Sequence, residues 1–207
     1  DLNADGGATE AFAVGASFAG FLVFVTFIAM TAGEFSGGTF RALLLRYPKR
    51  LRLLVGKLTG LLVLSAAAVA VAEVLTVGVS LAMAPGQDVD TSQWFSWDGA
   101  TAALEHFGTA YLGVVGWAIF GATLGIAFRS IPVALGVGFA WAGPFENIVV
   151  DSWESGYRYF PGQVLGSLIR GGTAELGFAR AVVTAAIYTA VAATIATFLT
   201  ARRDVTS

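Results

Sequence analysis

Five stretches of this sequence are apolar for long enough to cross a lipid bilayer. A spanning helix needs about 20 consecutive, mostly apolar residues, because hydrocarbon offers a peptide group no hydrogen-bond partner. The run FAVGASFAGFLVFVTFIAMTAG at 12–33 meets that need, and so do runs at about 58–84, 107–128, 131–150 and 181–201. Composition agrees: 13% of the 207 residues are charged, against about a quarter in a soluble domain. The chain is read as an all-α, multi-pass membrane protein, with residues 1–207 forming a single transmembrane domain. The 151–180 stretch is too polar and too broken by glycine to span. Within it, GQVLGSLIRGGTAELGFA is expected to form a short amphipathic or re-entrant helix pair. Pro144 is expected to kink the fourth span.

Charge sets the orientation. Six of the twelve basic residues lie between Gly33 and Lys57. Cytoplasmic loops carry the excess of Lys and Arg, so 34–57 is placed in the cytoplasm. Arg129, Arg202 and Arg203 then fall on the same side. Ten of the fourteen acids, Asp1, Asp5, Glu10, Asp88, Asp90, Asp98, Glu105, Asp151, Glu154 and Glu175, fall on the other. Segments 85–106 and 151–180 are external, and the C-terminus is cytoplasmic. Trp94, Phe95 and Trp97 suit an interfacial aromatic belt. The acidic opening DLNADGGATEAF lacks a basic leader region. An outward start without a leader leads us to expect a further span ahead of this sequence, six in all.

Several chemistries are disfavoured. A net charge of −2 gives no reason to expect a nucleic-acid partner, and the absence of Cys removes thiolate catalysis and Cys-based zinc. A single His, His106, cannot build a multi-histidine metal site within one chain; it reads as a hydrogen-bonded interfacial residue. Asp88 and Asp90 are spaced like calcium ligands, but no EF-hand pattern follows, and a solvated loop is expected. Gly56-Lys57-Leu58-Thr59 resembles the tail of a phosphate-binding loop, yet Leu51 stands where that loop requires Gly. No ATP site, catalytic residue or metal site is therefore assigned to this chain. Gly56-xxx-Gly60 and Gly121-xxx-Gly125 are expected to let helices approach closely.

The basic segment has internal order. Phe40, Leu43, Leu44 and Tyr47 recur at helical spacing, Ser36 or Thr39 can cap a helix start, Gly37-Gly38 precedes it, and Pro48 stops it. The residues alone leave two readings open: a basic loop touching lipid headgroups, or a docking helix presenting that stripe to a partner. Glu34 is either an acid placed near the next helix and paired with Arg41, or a hinge contact. Within the spans, Glu73 and Glu146 are costly acids of the kind that face a bundle interior or a water-filled path. Each is open to a satisfied hydrogen bond or a role on a substrate path, with Glu146 at an outward gate beside Asn147 and Asp151. The row Phe18, Phe21, Phe24 and Phe27 faces either lipid or a substrate cavity.

The order Glu34-Phe35, Gly38-Thr39, Arg41, the Leu43–Leu45 run, Pro48, Arg50 and Gly56-Lys57 resembles the ABC-2 type transporter permease family. The motif covers about 25 residues; span number, polarity and the segment before the last helix extend the likeness less specifically. The resemblance implies one membrane subunit of a bacterial ABC exporter with a six-helix, type V exporter-like bundle, in the cytoplasmic (inner) membrane. It implies a second permease subunit, identical or not, and a separate ATPase subunit that binds ATP and Mg. It further implies that 34–57 is the coupling element, carried by Glu34, Phe35, Gly38, Thr39, Phe40, Arg41, Leu43, Leu44, Tyr47, Pro48 and Arg50. Phe24, Glu73 and Glu146 are then candidates for the substrate path. Two other classes stay open: a proton-coupled secondary transporter using Glu73 and Glu146, and a membrane scaffold or channel.

Overall fold

The computed structural model describes residues 2–202, all helices and connections, with no strand among the described residues. Asp1, Arg203 and the side chain of Glu154, which enter the charge tallies, lie outside them. The helices are α1 (Glu10–Ser36), α2 (Thr39–Arg46), α3 (Arg50–Met83), α4 (Trp97–Phe128), α5 (Ile131–Ala140), α6 (Glu146–Ser152), α7 (Pro161–Ile169) and α8 (Phe178–Arg202). Five helical runs are long and apolar enough to cross a membrane: Gly7–Ser36, Arg50–Gln87, Trp97–Phe128, Ile131–Ser152 and Phe178–Arg202. The chain is an all-helical, multi-pass membrane protein.

Two spans outrun their apolar windows. The 34 residues of α3 make a rod of about 51 Å at ~1.5 Å per residue, against a hydrocarbon core of about 30 Å. Its surplus includes Arg50–Lys57, expected to lie outside the span but forming its first two turns. Helix α4 begins at Trp97 rather than 107, because Ser96 caps it: the Ser96 Oγ accepts the Gly99 N–H at 2.9 Å. The fourth span is α5 and α6 joined by a π-helical turn, Trp141–Phe145, around Pro144. Proline cannot donate to the preceding turn, and the widened turn absorbs the missing bond.

The 151–180 segment holds one α-helix, α7, not the expected pair. A backbone reversal follows α7 at Gly171 and Gly172, whose φ of 70° and 110° suit glycine. Gly172 N–H donates to Ser167 O at 2.8 Å, and the Ser167 hydroxyl donates to Leu176 O at 2.8 Å. That closed turn leaves no room for a second helix. Nor is α7 peripheral: Val164, Leu165, Leu168 and Ile169 are buried in the core shared with α1, α4 and α8.

Helix α4 is the axis of the bundle, and its contact with α1 is the most extensive between any two elements. Glycines set the approach. A Cβ on Gly121 would stand 2.5 Å from the Phe24 carbonyl oxygen, and one on Gly125 3.0 Å from Ala32 N. Gly113 and Gly116 give α7 the same access, their missing side chains replaced by Ile169 and Leu165. The Gly121-xxx-Gly125 seam is thus a contact surface. Among the described residues a Cβ on Gly56 or Gly60 would meet nothing within 4 Å, so that expected contact does not form among them. Cross-helix hydrogen bonds add to the packing: Thr123 Oγ1 to Ala192 O at 3.1 Å, joining α4 to α8, and Tyr111 OH to Leu62 O at 2.9 Å, joining α4 to α3.

The two ends of the bundle differ. At one, Leu54, Ile126 and Ala196 pack with Phe35, Leu58 and Leu199, gathering the C-terminal ends of α1, α4 and α8 with the start of α3. At the other, the first residues tie down the connection before α4. Trp94 Nε1 donates to Leu2 O at 2.9 Å, Asp90 N–H donates to Asn3 Oδ1 at 2.9 Å, and Thr9 Oγ1 lies 2.6 Å from His106 Nδ1. Trp94 is therefore buried, not part of a belt, whereas Phe95 and Trp97 are exposed. Asp90 accepts the Ser92 N–H at 2.9 Å, a bond that holds its carboxyl below the ordinary range.

Substituting Gly121→Leu forces α1 and α4 apart and is expected to cost at least about 1–3 kcal/mol, read as a lowered unfolding midpoint in detergent. Gly60→Leu, with open space around it, is expected to leave that midpoint unchanged.

Candidate functional site

The residues of the basic segment form a compact corner. Gly37 ends α1. Gly38, at φ 71°, turns the chain left-handed and serves as the N-cap of α2 with no side-chain cap; neither Ser36 nor Thr39 caps the helix, and the Ser36 hydroxyl donates backward to Gly33 O at 3.3 Å. Helix α2 stops at Arg46, and Tyr47–Lys49, with Pro48 at its centre, makes the turn into α3.

The expected stripe divides. Phe40 is 2% exposed, its ring 4.7 Å from that of Phe35, so it anchors α2 to α1 rather than facing a partner. Over the same Phe35 ring lies the Arg129 guanidinium, at 5.1 Å, bringing in the α4–α5 corner. Leu43 and Leu44 are half-buried, and Thr39 and Arg41 are exposed. The apolar surface left outward is Leu45, 87% exposed, and Tyr47, 59% exposed. Beside them is a groove of about 640 Å³ lined by Tyr47, Pro48, Leu53 and Gly56 together with Lys49, Arg52 and Lys57.

Glu34 lies in the last turn of α1, where the helix dipole disfavours an acid. Its partner is Lys57 of α3, not Arg41. This ion pair, half-shielded from solvent, fastens the exit of one span to the entry of the next across the whole α2 corner. Lys57 stands in the same motif, and the pairing escaped the sequence reading because 22 residues separate the two groups.

The substrate-path candidates fall in two places. Phe24 and Glu146 meet at a cavity of about 230 Å³ between α1, α4, α5 and α7, with Trp117, Phe120, Trp141 and Gly162 also in its wall. Glu146 is 1% exposed; its Oε1 accepts the Gly162 N–H at the start of α7, 3.2 Å away, while Oε2 is buried without a hydrogen-bond partner. It is buried, whereas Asn147 and Asp151 are exposed, and Asn147 Oδ1 accepts from Gln163 at 3.2 Å. Glu73 stands apart on α3, half-buried, its Oε1 unpartnered, so of its two readings the satisfied hydrogen bond does not form at that oxygen. Phe24 and Phe27 are core residues and Phe18 is exposed, so the phenylalanine row serves both surfaces. Trp117, Trp141 and Gly162 carried no signal in the sequence as cavity residues, since periodicity does not say which side chains border a void.

A family model described as a protein of unknown function (DUF2705) matches residues 6–206, nearly the whole chain, and the protein belongs to that family. No curated protein matches it, and no solved structure does.

The ion pair is accessible to a direct measurement. Lys57→Glu is expected to destabilise the protein and Glu34→Lys combined with it to restore most of the loss, with a coupling of about 0.5–3 kcal/mol between the two positions. Thermal unfolding of the four species in detergent reads that coupling.

Proposed function

We propose that this DUF2705 member is the membrane-spanning permease subunit of an ATP-binding-cassette exporter in the bacterial cytoplasmic membrane. In this reading it belongs to the ABC-2 type, pairs with a second permease subunit and works with a separate ATPase that holds ATP and Mg. The observation that carries the proposal is the α2 corner: a short helix fixed to α1 through Phe35 and Phe40, closed by the Glu34–Lys57 pair, with Leu45 and Tyr47 left outward beside a cation-lined groove. A loop serving topology alone needs none of these fixings. A partner pressing on α2 moves α1 and α3 together, because the ion pair and the ring contact couple the corner to both. The ATPase supplies hydrolysis; this chain supplies the path and the lever.

One observation favours a second reading. Glu73 and Glu146 each carry a buried, unpartnered carboxyl oxygen, as proton-carrying acids in a secondary transporter would.

Two measurements test the proposal. Co-purification of an ATPase subunit is expected to fall about tenfold on Leu45→Asp, as for loss of one apolar anchor at an interface, while unfolding is unchanged because Leu45 is solvent-facing. Transport that persists without ATP and collapses with the proton gradient would replace the permease reading with the second one. The chain lacks Cys, so single cysteines report sidedness cleanly. An impermeant maleimide added to intact cells is expected to label Phe95→Cys and to spare Arg46→Cys.

A further inference from the structure

The groove at the α2 corner combines two chemistries. Its wall is mostly apolar, with Tyr47, Pro48, Leu53 and Gly56 contributing, and its charged groups are all basic: Lys49, Arg52 and Lys57. Lys57 is held by Glu34, whereas Lys49 and Arg52 form no ion pair among the described residues. No acid occurs between Glu34 and Glu73 in the sequence, so α2 and the adjoining turns of α3 offer those two cations no partner. Long basic side chains lay their methylenes along an apolar wall and hold the charge at its rim. The groove ends at Gly56 and Lys57, where the apolar run of α3 begins. The ligand that matches is apolar over most of its length, anionic at one end and found at the edge of the hydrocarbon.

We propose that this groove binds an anionic phospholipid of the adjacent leaflet, its acidic headgroup at Lys49 and Arg52 and the start of its chains against Leu53 and Gly56. The volume, about 640 Å³, lies within the usual ~300–1,000 Å³ of small-molecule sites, room for a glycerophosphate headgroup and the first methylenes. Basic pockets at the membrane boundary of helical bundles take such headgroups. A soluble anion meets the cations but gains nothing from the apolar wall, whereas a lipid uses both. Gly56 is part of the site: a Cβ there would meet nothing within 4 Å, so the glycine leaves space that no neighbouring element fills. Leu45 lies outside the wall and stays available to a protein partner. The inference rests on the geometry of the corner and not on the permease reading. Its test needs no ATPase, so either can fail while the other stands.

The test is calorimetric titration of the full chain in a neutral detergent with dioctanoyl phosphatidylglycerol, with dioctanoyl phosphatidylcholine and with inorganic phosphate. Phosphatidylglycerol is expected to bind saturably and phosphatidylcholine at least about fivefold more weakly, the margin of one charge near a basic surface. Inorganic phosphate is expected not to displace the lipid. Lys49→Gln combined with Arg52→Gln is expected to weaken phosphatidylglycerol by about twenty-five-fold, fivefold for each cation. Lys49 precedes α3 without a side-chain capping bond, so its substitution leaves the helix start intact. Arg46→Gln combined with Arg202→Gln removes the same charge from the same end of the bundle but outside the groove. That pair is expected to weaken binding far less, because charges outside the site are screened by salt. Gly56→Leu keeps every charge, fills the groove and is expected to abolish saturable binding. Equal binding of the two lipids, displacement by inorganic phosphate, equal losses in the two charge-removed pairs, or unchanged binding in Gly56→Leu overturns the proposal. No phosphatidylglycerol binding by the unaltered chain also overturns it and leaves the groove to a protein partner.

Discussion

The bundle depends on how closely α1 and α7 approach α4. Lipid supplies no hydrophobic drive between helices, so association rests on van der Waals contact and buried hydrogen bonds, and both need short distances. Four glycines provide them. Gly121 and Gly125 bring α4 against the backbone of α1, and Gly113 and Gly116 admit Ile169 and Leu165 of α7. Because α7 is held there, its N-terminus meets Glu146; because α1 is held there, Phe24 meets Trp117. The cavity is a product of the seam.

At the basic end the same seam delivers a different result. Helices α1 and α4 end side by side, so the Phe35 ring lies under Arg129 and also meets the Phe40 ring. Glu34 then reaches Lys57, and the α2 corner joins three spans. In the proposed permease, force applied to α2 reaches α1 directly and α3 through the ion pair. A charge pair suits that task at a membrane boundary, where water is thin enough to leave the attraction strong and present enough to spare most of the desolvation cost.

Span number and type were legible in the sequence, because the bilayer requires a continuous apolar run and five are present. Span ends were not: α3 starts at Arg50 and α4 at Trp97, since a helix continues past the hydrocarbon until a cap or a proline stops it. The positions of Gly37-Gly38 and Pro48 did mark the α2 corner, because backbone constraints act locally. Which side of a short amphipathic helix faces its own chain is a tertiary matter, and spacing treated Phe40 and Tyr47 alike although one is buried and the other exposed. Glu146 was legible as a costly acid, but its surroundings were not. Trp117, Trp141 and Gly162 come from three separate elements, and their convergence follows from packing rather than from any local pattern.

Pro144 connects these levels. The π-helical turn around it carries more residues per turn than an α-helix, and each extra residue rotates the remainder of the helix by about 100°. Just beyond that turn Glu146 is buried, next to it the exposed Asn147 joins Gln163 at the surface, and Gly162 leaves the space the carboxylate occupies. The irregular turn thus precedes a buried acid that packs against the start of α7 beside an aromatic-lined cavity, a setting that neither the hydropathy of the span nor its charge pattern shows. Such widened turns are frequent at functional sites. Here the turn lies directly before the one buried polar residue of this span, while its neighbours Phe145 and Asn147 are exposed.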